Sequence, residues 1–116
     1  MINSVSFNGY SHPIKTMWKR GKLANVTKGL YGETLTKQNL SAEHLLPVSK
    51  GGKTTLGNIA LASTYMNNLR GTRPLNEVVT KQMAWDYISE FVNDKRKVVQ
   101  LYIKEVYQTF KELGVL

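Results

Sequence analysis

One histidine, its acidic neighbour and two asparagines offer the groups that metal-assisted hydrolysis requires. Glu43 and His44 are adjacent, and Asn58 and Asn67 follow them at fixed separations. A histidine can deprotonate a water molecule beside a bound cation. Carboxylate and carboxamide oxygens are ligands that Mg²⁺ accepts. These residue types therefore predict a hydrolytic site built around one divalent ion.

The segment that carries these residues has the pattern of a strand, a loop, a second strand and a helix. Residues 40–62 contain two short apolar runs separated by a turn rich in glycine, lysine and threonine, which predicts a two-stranded ribbon with a long connecting loop. Ser63 or Thr64 can cap a helix that Gly71 ends. Residues 40–71 are therefore expected to form one compact unit.

The N-terminal quarter is interpreted as a basic arm. Residues 1–32 mix glycine, serine, asparagine and lysine with scattered aromatic residues, which favours strands and loops over a long helix. No acidic residue occurs before Glu33, whereas basic residues do. Trp18 is either a residue that stacks on a base or a buried anchor for the arm. The candidate contacts of this arm with a polyanion are Lys19, Arg20 and Lys22.

Residues 74–116 are predicted to form helices that pack on the domain. Pro74 can open the first of them, because proline is tolerated in the first turn. The apolar density of residues 78–92 indicates one or two packed helices, and Asn93-Asp94 offers a break and a cap for a last helix. A homodimer seam is the alternative to packing on the domain for the apolar stripe of the last helix. That stripe contains Val99, Tyr102, Ile103, Val106, Tyr107, Phe110 and Leu113.

Composition limits the class of protein. A chain of 116 residues is expected to form a single domain. Its 16 basic and 8 acidic residues give a net charge of +8, which suits nucleic acid, although a merely soluble basic protein has the same balance. The lack of cysteine excludes disulfides and thiolate zinc sites. Without a signal peptide or a membrane-length apolar run, the protein is expected in the cytoplasm of a bacterial host.

Residues 41–71 resemble the HNH endonuclease motif. In that family an acidic residue and histidine are followed by proline, Ser-x-Gly-Gly, asparagine, and then asparagine or histidine before a basic-Gly turn. The matching residues here are Glu43-His44, Pro47, Ser49, Gly51-Gly52, Asn58, Asn67 and Arg70-Gly71. The resemblance implies a small ββα-metal core, which together with the basic N-terminal arm and the C-terminal packing helices predicts an α+β fold.

The resemblance also implies a role for each residue of the motif. Glu43 and Asn67 would hold one Mg²⁺ or Mn²⁺ ion, and His44 would act as the general base. Asn58 would fasten the long loop, or it is a simple turn asparagine. Arg70 would neutralise the scissile phosphate, or it is an ordinary cation at a helix C-terminus. Because adjacent strand residues point to opposite faces, a bulge or strand end must turn both Glu43 and His44 towards the ion.

The sequence departs from the usual family pattern at two places. Glutamate stands where most members have aspartate, which moves the carboxylate outward. Ser63 and Met66 occupy places where many members carry paired cysteines, so no structural zinc is expected. Lys50, Lys53 and Arg73 lie near the motif and are either phosphate contacts or solvated charges. His12 and the cluster Lys95-Arg96-Lys97 have no matched partner and are expected at the surface.

The function that the resemblance implies is metal-dependent hydrolysis of DNA, with 3′-hydroxyl and 5′-phosphate products. Small proteins of this design resemble nucleases of phages and mobile elements. The expected partner is DNA, with a homodimer or a larger phage-encoded or host complex as further options. Two alternatives stay open. One is an HNH-fold protein that binds nucleic acid or a host enzyme without cutting, and the other is a toxin-like nuclease that acts on RNA.

Overall fold

The computed structural model describes residues 12–116, which form an α+β fold with five α-helices and a two-stranded antiparallel sheet. This confirms the predicted α+β class. In chain order the elements are α1 (Pro13–Lys19), β1 (Leu40–His44), β2 (Ile59–Ser63), α2 (Thr64–Arg70), α3 (Leu75–Val78), α4 (Lys81–Ser89) and α5 (Lys97–Glu112).

The strand, loop, strand and helix follow one another as the sequence predicts. The two strands pair in one unbroken register from Leu40 opposite Ser63 to His44 opposite Ile59. Ser63 is the N-cap of α2, because its hydroxyl accepts a hydrogen bond from the backbone N–H of Met66. The C-cap of α2 is Gly71, which has a φ of 60°. Side-chain capping and glycine at the stop therefore set both ends of this helix.

The N-terminal region departs from the expectation of strands and loops, because α1 spans Pro13–Lys19. His12 caps the helix through Nδ1, which accepts a hydrogen bond from the backbone N–H of Ile14. Histidine is not one of the favoured capping residues, which explains why the sequence did not reveal this helix. His12 is only 2% exposed, so its predicted surface position is wrong. The part of the basic arm before His12 lies outside the described residues.

The C-terminal helices pack on the sheet unit as predicted. Pro74 precedes α3, and Thr80 caps α4. The break at Asn93-Asp94 is observed, but α5 begins at Lys97 with Arg96 as its N-cap. The apolar stripe of α5 faces the protein's own core through the buried side chains of Val99, Tyr102, Val106 and Phe110. None of the helices within residues 12–116 has the length and apolar character needed to cross a membrane.

Tyrosine side chains and a loop cover the edge of β2 that β1 does not pair. The Tyr87 hydroxyl accepts a hydrogen bond from the backbone N–H of Leu61 at 2.8 Å, and the Tyr102 hydroxyl donates one to the carbonyl of Ile59 at 2.6 Å. The backbone N–H of Leu30 donates to the Leu61 carbonyl at 2.8 Å. These bonds satisfy backbone groups that a third strand would otherwise pair, so a two-stranded sheet can be buried here.

Helix α5 also fixes the loop that joins the strands. It packs on a 3₁₀ turn, Leu56–Asn58, which comes immediately before β2. A Cβ atom on Gly57 would lie 2.7 Å from the Glu105 Cβ and 2.8 Å from the Glu105 carbonyl oxygen. Glycine is therefore what allows the backbone of the turn to approach the helix so closely.

Candidate functional site

Arg70 joins the end of β1 to α2 from a buried position. One guanidinium nitrogen, Nη1, donates to Oε2 of Glu43 and to the carbonyl of His44, both at 2.9 Å. Nη2 donates to the carbonyl of Leu45 at 2.8 Å, and Nε donates to that of Arg73 at 2.9 Å. Arg70 is only 3% exposed. This placement does not fit the expected phosphate contact, because the guanidinium is directed into the protein.

Glu43 is almost completely buried and its two carboxylate oxygens differ. Oε2 accepts hydrogen bonds from Arg70 and from the hydroxyl of Tyr31. Oε1 is the one buried side-chain nitrogen or oxygen within residues 12–116 that has no hydrogen-bond partner. Burial raises the pKa of Glu43, and the hydrogen bonds from Tyr31 and Arg70 oppose that rise. An unpartnered buried carboxylate oxygen is a group that a bound cation would satisfy.

Asn67 lies on the same side of β1 as Glu43. Its Nδ2 donates to the hydroxyl of Ser41 at 3.0 Å, and Ser41 shares a strand face with Glu43. Asn67 and Arg70 are three residues apart on one face of α2, so both reach this strand face. The Oδ1 atom of Asn67 accepts no hydrogen bond from the described part of the chain. Glu43 Oε1 and the part-exposed side chain of Asn67 are therefore both found where α2 packs on this face of β1.

His44 turns towards the loop instead. Its Nε2 is 2.9 Å from the hydroxyl of Thr54, and its ring is half-buried. No bulge interrupts the register of β1, so Glu43 and His44 point to opposite faces; of the two expected alternatives the bulge is absent, and His44 is the last residue of the strand. Among residues 12–116, no hydrogen bond joins His44 to Glu43 or Asn67. Burial lowers the pKa of His44, so the imidazole is neutral at pH 7 and able to accept a proton.

Asn58 fastens the loop after β1 by three hydrogen bonds. Its Oδ1 accepts from the backbone N–H of Leu46 at 2.8 Å, and its Nδ2 donates to the carbonyls of Leu46 at 3.1 Å and Lys53 at 2.9 Å. These are the loop contacts that the sequence predicts for this asparagine. Gly51 has a φ of 93°, and a Cβ on Gly52 would lie 1.7 Å from the Leu46 carbonyl oxygen. The glycine pair is therefore required by the turn.

His12 supports the same loop from the core side. Since its Nδ1 accepts the Ile14 N–H, its Nε2 carries the proton and donates to the carbonyl of Leu56 at 3.1 Å. Burial lowers the pKa of His12 to about 4. The hydrogen bond to Leu56 raises this pKa, and a positive charge on His44 lowers it. The protein's two histidines therefore contact the same loop, one buried and one half-exposed.

The predicted nucleic-acid contacts occupy three places on the surface. Lys50 and Lys53 are exposed on either side of the glycine pair, and Lys19, Arg20 and Lys22 are exposed at and just beyond the end of α1. Arg73 is exposed but donates hydrogen bonds to the carbonyls of Leu69 and Arg70, so it also caps α2. Trp18 donates to the Val26 carbonyl and packs against the core, as the anchor alternative expects.

Sequence reasoning missed four residues that orient the candidate site. Ser41 had a usable signal, because it lies two positions before Glu43 on the same strand face. Tyr31, Thr54 and His12 contact Glu43, His44 and Leu56 across sequence separations of 12, 10 and 44 residues. Sequence periodicity describes only neighbours within an element, so these three contacts had no local signal.

The donors fit a hard divalent ion. Residues 12–116 contain no group of three or more histidine, aspartate or glutamate residues that could hold a metal. A cation here would be held by Glu43 and Asn67, with water and substrate phosphate completing its coordination. Mg²⁺ is commonly bound in this way, through one or two carboxylates together with phosphates and water.

Comparison with known proteins identified no relative: no family model, no curated protein and no solved structure matches this chain.

Proposed function

We propose that this protein is a metal-dependent endonuclease of the HNH type that hydrolyses phosphodiester bonds in DNA. The observation that carries the proposal is the buried oxygen without a partner in residues 12–116, Glu43 Oε1, on the face of β1 that Asn67 contacts through Ser41. A neutral imidazole, His44, stands at the end of the same strand but on its opposite face, so the proposed reaction requires the strand end to turn the ring towards the ion. These three residues fill the metal and base positions of the motif that residues 41–71 resemble.

Each side chain has a task in the proposed reaction. His44 takes a proton from water, and the resulting hydroxide attacks phosphorus in line with the leaving 3′-oxygen. The new phosphorus–oxygen bond forms as the bond to the 3′-oxygen breaks, and solvent supplies the proton of the leaving hydroxyl. Mg²⁺ held by Glu43 and Asn67 would stabilise negative charge on the phosphate oxygens. The products are a 3′-hydroxyl and a 5′-phosphate.

The surrounding residues position these groups. Arg70 holds the Glu43 carboxylate and the His44 carbonyl at the same time, so it sets the end of β1 relative to α2. Asn58 keeps the loop closed, and Thr54 in that loop holds the His44 ring. We therefore assign Arg70, Asn58 and Thr54 as positioning residues.

One observation favours a second candidate function, a protein that binds nucleic acid without cutting it. Arg70 forms a buried ion pair with Glu43 at 2.9 Å, which already neutralises the carboxylate. A cation would have to share Glu43 with this guanidinium. If no cation can bind Glu43 beside this guanidinium, cleavage is lost, but the basic surface still binds DNA.

Nicking of supercoiled plasmid separates the two candidates. We expect relaxed circles in the presence of Mg²⁺ or Mn²⁺ and none with EDTA. His44→Ala should lower the rate by roughly 100-fold or more, because general-base catalysis contributes about that much. A structured RNA in a parallel reaction tests whether DNA is the preferred substrate.

The neighbouring asparagines provide a matched control. Asn68 is exposed and forms no side-chain hydrogen bond with the described residues, whereas Asn67 faces Ser41. We expect Asn67→Ala to lose nicking and Asn68→Ala to stay within about 2-fold of the unmodified protein, since surface changes of this kind have small effects. Tight duplex binding with no cutting in either metal would instead support the non-cleaving protein.

A further inference from the structure

Two basic segments that are far apart in the sequence meet on one surface. The first follows α1 and the second lies at the start of α5. The guanidinium of Arg96 donates a hydrogen bond to the backbone carbonyl of Lys22, which ties the two segments together. Between them is a groove of about 320 Å³, lined in part by Lys22, Lys95 and Arg96. We call this surface the basic face; it comprises the groove residues Lys22, Lys95 and Arg96 and their exposed neighbours in the chain, Lys19, Arg20 and Lys97.

The basic side chains of the basic face outnumber the acidic side chains beside them. Asp94 forms an ion pair with Arg96, and Oε1 of Glu90 accepts hydrogen bonds from the backbone N–H groups of Thr27 and Lys28. Both acidic residues of the groove are thus engaged with protein donors. No ion pair within residues 12–116 involves the other five basic side chains of the face. Their charge is therefore available to an external anion.

Helix α1 connects the basic face to the loop that holds His44. His12 precedes the helix and contacts Leu56 in that loop, whereas Lys19 ends the helix. Seven helical residues rise about 10 Å, so the basic face and the loop are separated by roughly that distance along α1. Each strand of duplex DNA places a phosphate about every 3.4 Å along its axis. One duplex is long enough to reach from the basic face to the loop.

We propose that the basic face is a second nucleic-acid binding surface, which contacts the phosphodiester backbone several phosphates away from His44. Binding at this surface does not require cleavage; only the identification of the bound duplex as the substrate rests on the proposed function. The contacts are to phosphates, so they supply affinity with little sequence preference and weaken as salt increases.

Duplex binding by two matched double variants tests the proposal. Lys22→Gln with Lys95→Gln removes two charges from the basic face and leaves the Arg96 contacts in place. Lys81→Gln with Lys111→Gln removes the same charge from the far ends of α4 and α5, since Lys111 lies about 21 Å from Lys97 along the helix. Both pairs are made in the His44→Ala protein, and anisotropy of a labelled 20-base-pair duplex is followed in EDTA.

We expect the first pair to weaken binding by roughly 10-fold or more and to reduce the slope of log affinity against log salt by about 2. The second pair should change affinity by less than about 3-fold. Equal losses in the two pairs, or no loss in either, would overturn the proposal, because net charge alone would then explain the binding. Unchanged duplex binding with lost binding to phosphatidylserine vesicles would also overturn it, in favour of a membrane surface.

The outcomes separate this inference from the proposed activity. If the protein never nicks DNA but loses duplex affinity in the Lys22 and Lys95 variant, the basic face stands and the nuclease proposal fails. If the protein nicks DNA and that variant keeps its full affinity, the nuclease proposal stands and the basic face fails.

Discussion

The two faces at the end of β1 have opposite physical characters. On one face, Glu43 is buried against Arg70 and Tyr31, and one of its two carboxylate oxygens, Oε2, accepts hydrogen bonds from both. On the other face, His44 is half-buried, with one hydroxyl contact to Thr54. Adjacent residues of one motif therefore meet very different surroundings, because strand geometry sends them to opposite sides of the sheet.

This difference separates the buried ion pair, which stabilises the fold, from the half-buried imidazole, which can exchange protons. The Glu43 face holds β1 on α2, and losing a partner there leaves an unpaired charge in the interior. The His44 face has a neutral imidazole that can exchange protons. Changes to the Arg70 ion pair on the first face should mainly alter the free energy of unfolding, and changes at His44 on the second should mainly alter the proposed cleavage.

Removing the buried guanidinium of Arg70 should have the largest effect on the free energy of unfolding. Arg70→Met should lower the free energy of unfolding by about 3–5 kcal/mol, because Glu43 would remain buried without its ion-pair partner. Arg73→Met is the matched control, since Arg73 is exposed, and should cost less than about 1 kcal/mol. Urea unfolding measures both. Similar losses in the two variants would show that Arg70 is no more structural than its exposed neighbour.

The next effect tests the fastening of the loop. Asn58→Ala removes three hydrogen bonds and leaves backbone groups of Leu46 and Lys53 without partners, which should cost about 3 kcal/mol. Asn68→Ala, at an exposed position, should change the free energy of unfolding by less than about 0.5 kcal/mol. Urea unfolding again measures both. A loss below about 1 kcal/mol for Asn58→Ala would mean that the loop is held by other contacts.

The two histidines should respond differently to pH. The pKa of His12 is about 4 when folded and 6.5 when unfolded, so the unfolded chain binds more protons and stability falls as the pH drops below 6.5. Between pH 6.5 and 5 this contributes about 2 kcal/mol. His12→Asn keeps a capping oxygen and removes the titrating ring, so its stability should decrease less between pH 7 and 5.

Chemical denaturation at the two pH values measures this difference. His44→Asn serves as the comparison, because that ring is half-exposed and should contribute less to the pH dependence of stability. An acid sensitivity that His12→Asn leaves unchanged would contradict the buried, neutral state assigned to His12.

The smallest effect on stability is expected at Thr54. Thr54→Val removes the hydroxyl beside His44 Nε2 and should change the free energy of unfolding by about 1 kcal/mol or less. If His44 is the base, the nicking rate should fall by roughly 10-fold and Thr54→Ser should restore it. The pH profile of nicking should shift in the valine variant alone. A profile common to all three proteins would exclude a positioning role for Thr54.

Much of the sheet unit could be predicted from local signals. The two apolar runs, the serine cap and the glycine stop of α2 each depend on residues within a few positions, and the structure places them as expected. The role of Asn58 was also predictable, because its side chain hydrogen-bonds to the backbone of its own loop. The helix at residues 13–19 was missed, since a capping histidine is an uncommon start signal.

The candidate site depended more on contacts between distant segments. The sequence left Arg70 as either a phosphate contact or an ordinary cation at a helix C-terminus, yet the fold turns it inward to three carbonyls and a carboxylate. It also suggested a surface position for His12, which lies beneath the loop. Arginine and histidine side chains can lie at the surface or, when hydrogen-bonded, in the interior, so residue type could not decide between these two positions.

The amino-acid sequence by itself determined the periodic strands and helices, the glycine turn and the positive charge, because each follows from residues close together in the chain. Only the tertiary structure decided which side chains contact Glu43 and which contact His44. It also decided that Arg70 neutralises Glu43 and that Lys22 and Lys95 share a surface. These outcomes depend on how separate elements pack to bury apolar side chains and satisfy polar groups, and packing joins residues that no local pattern connects.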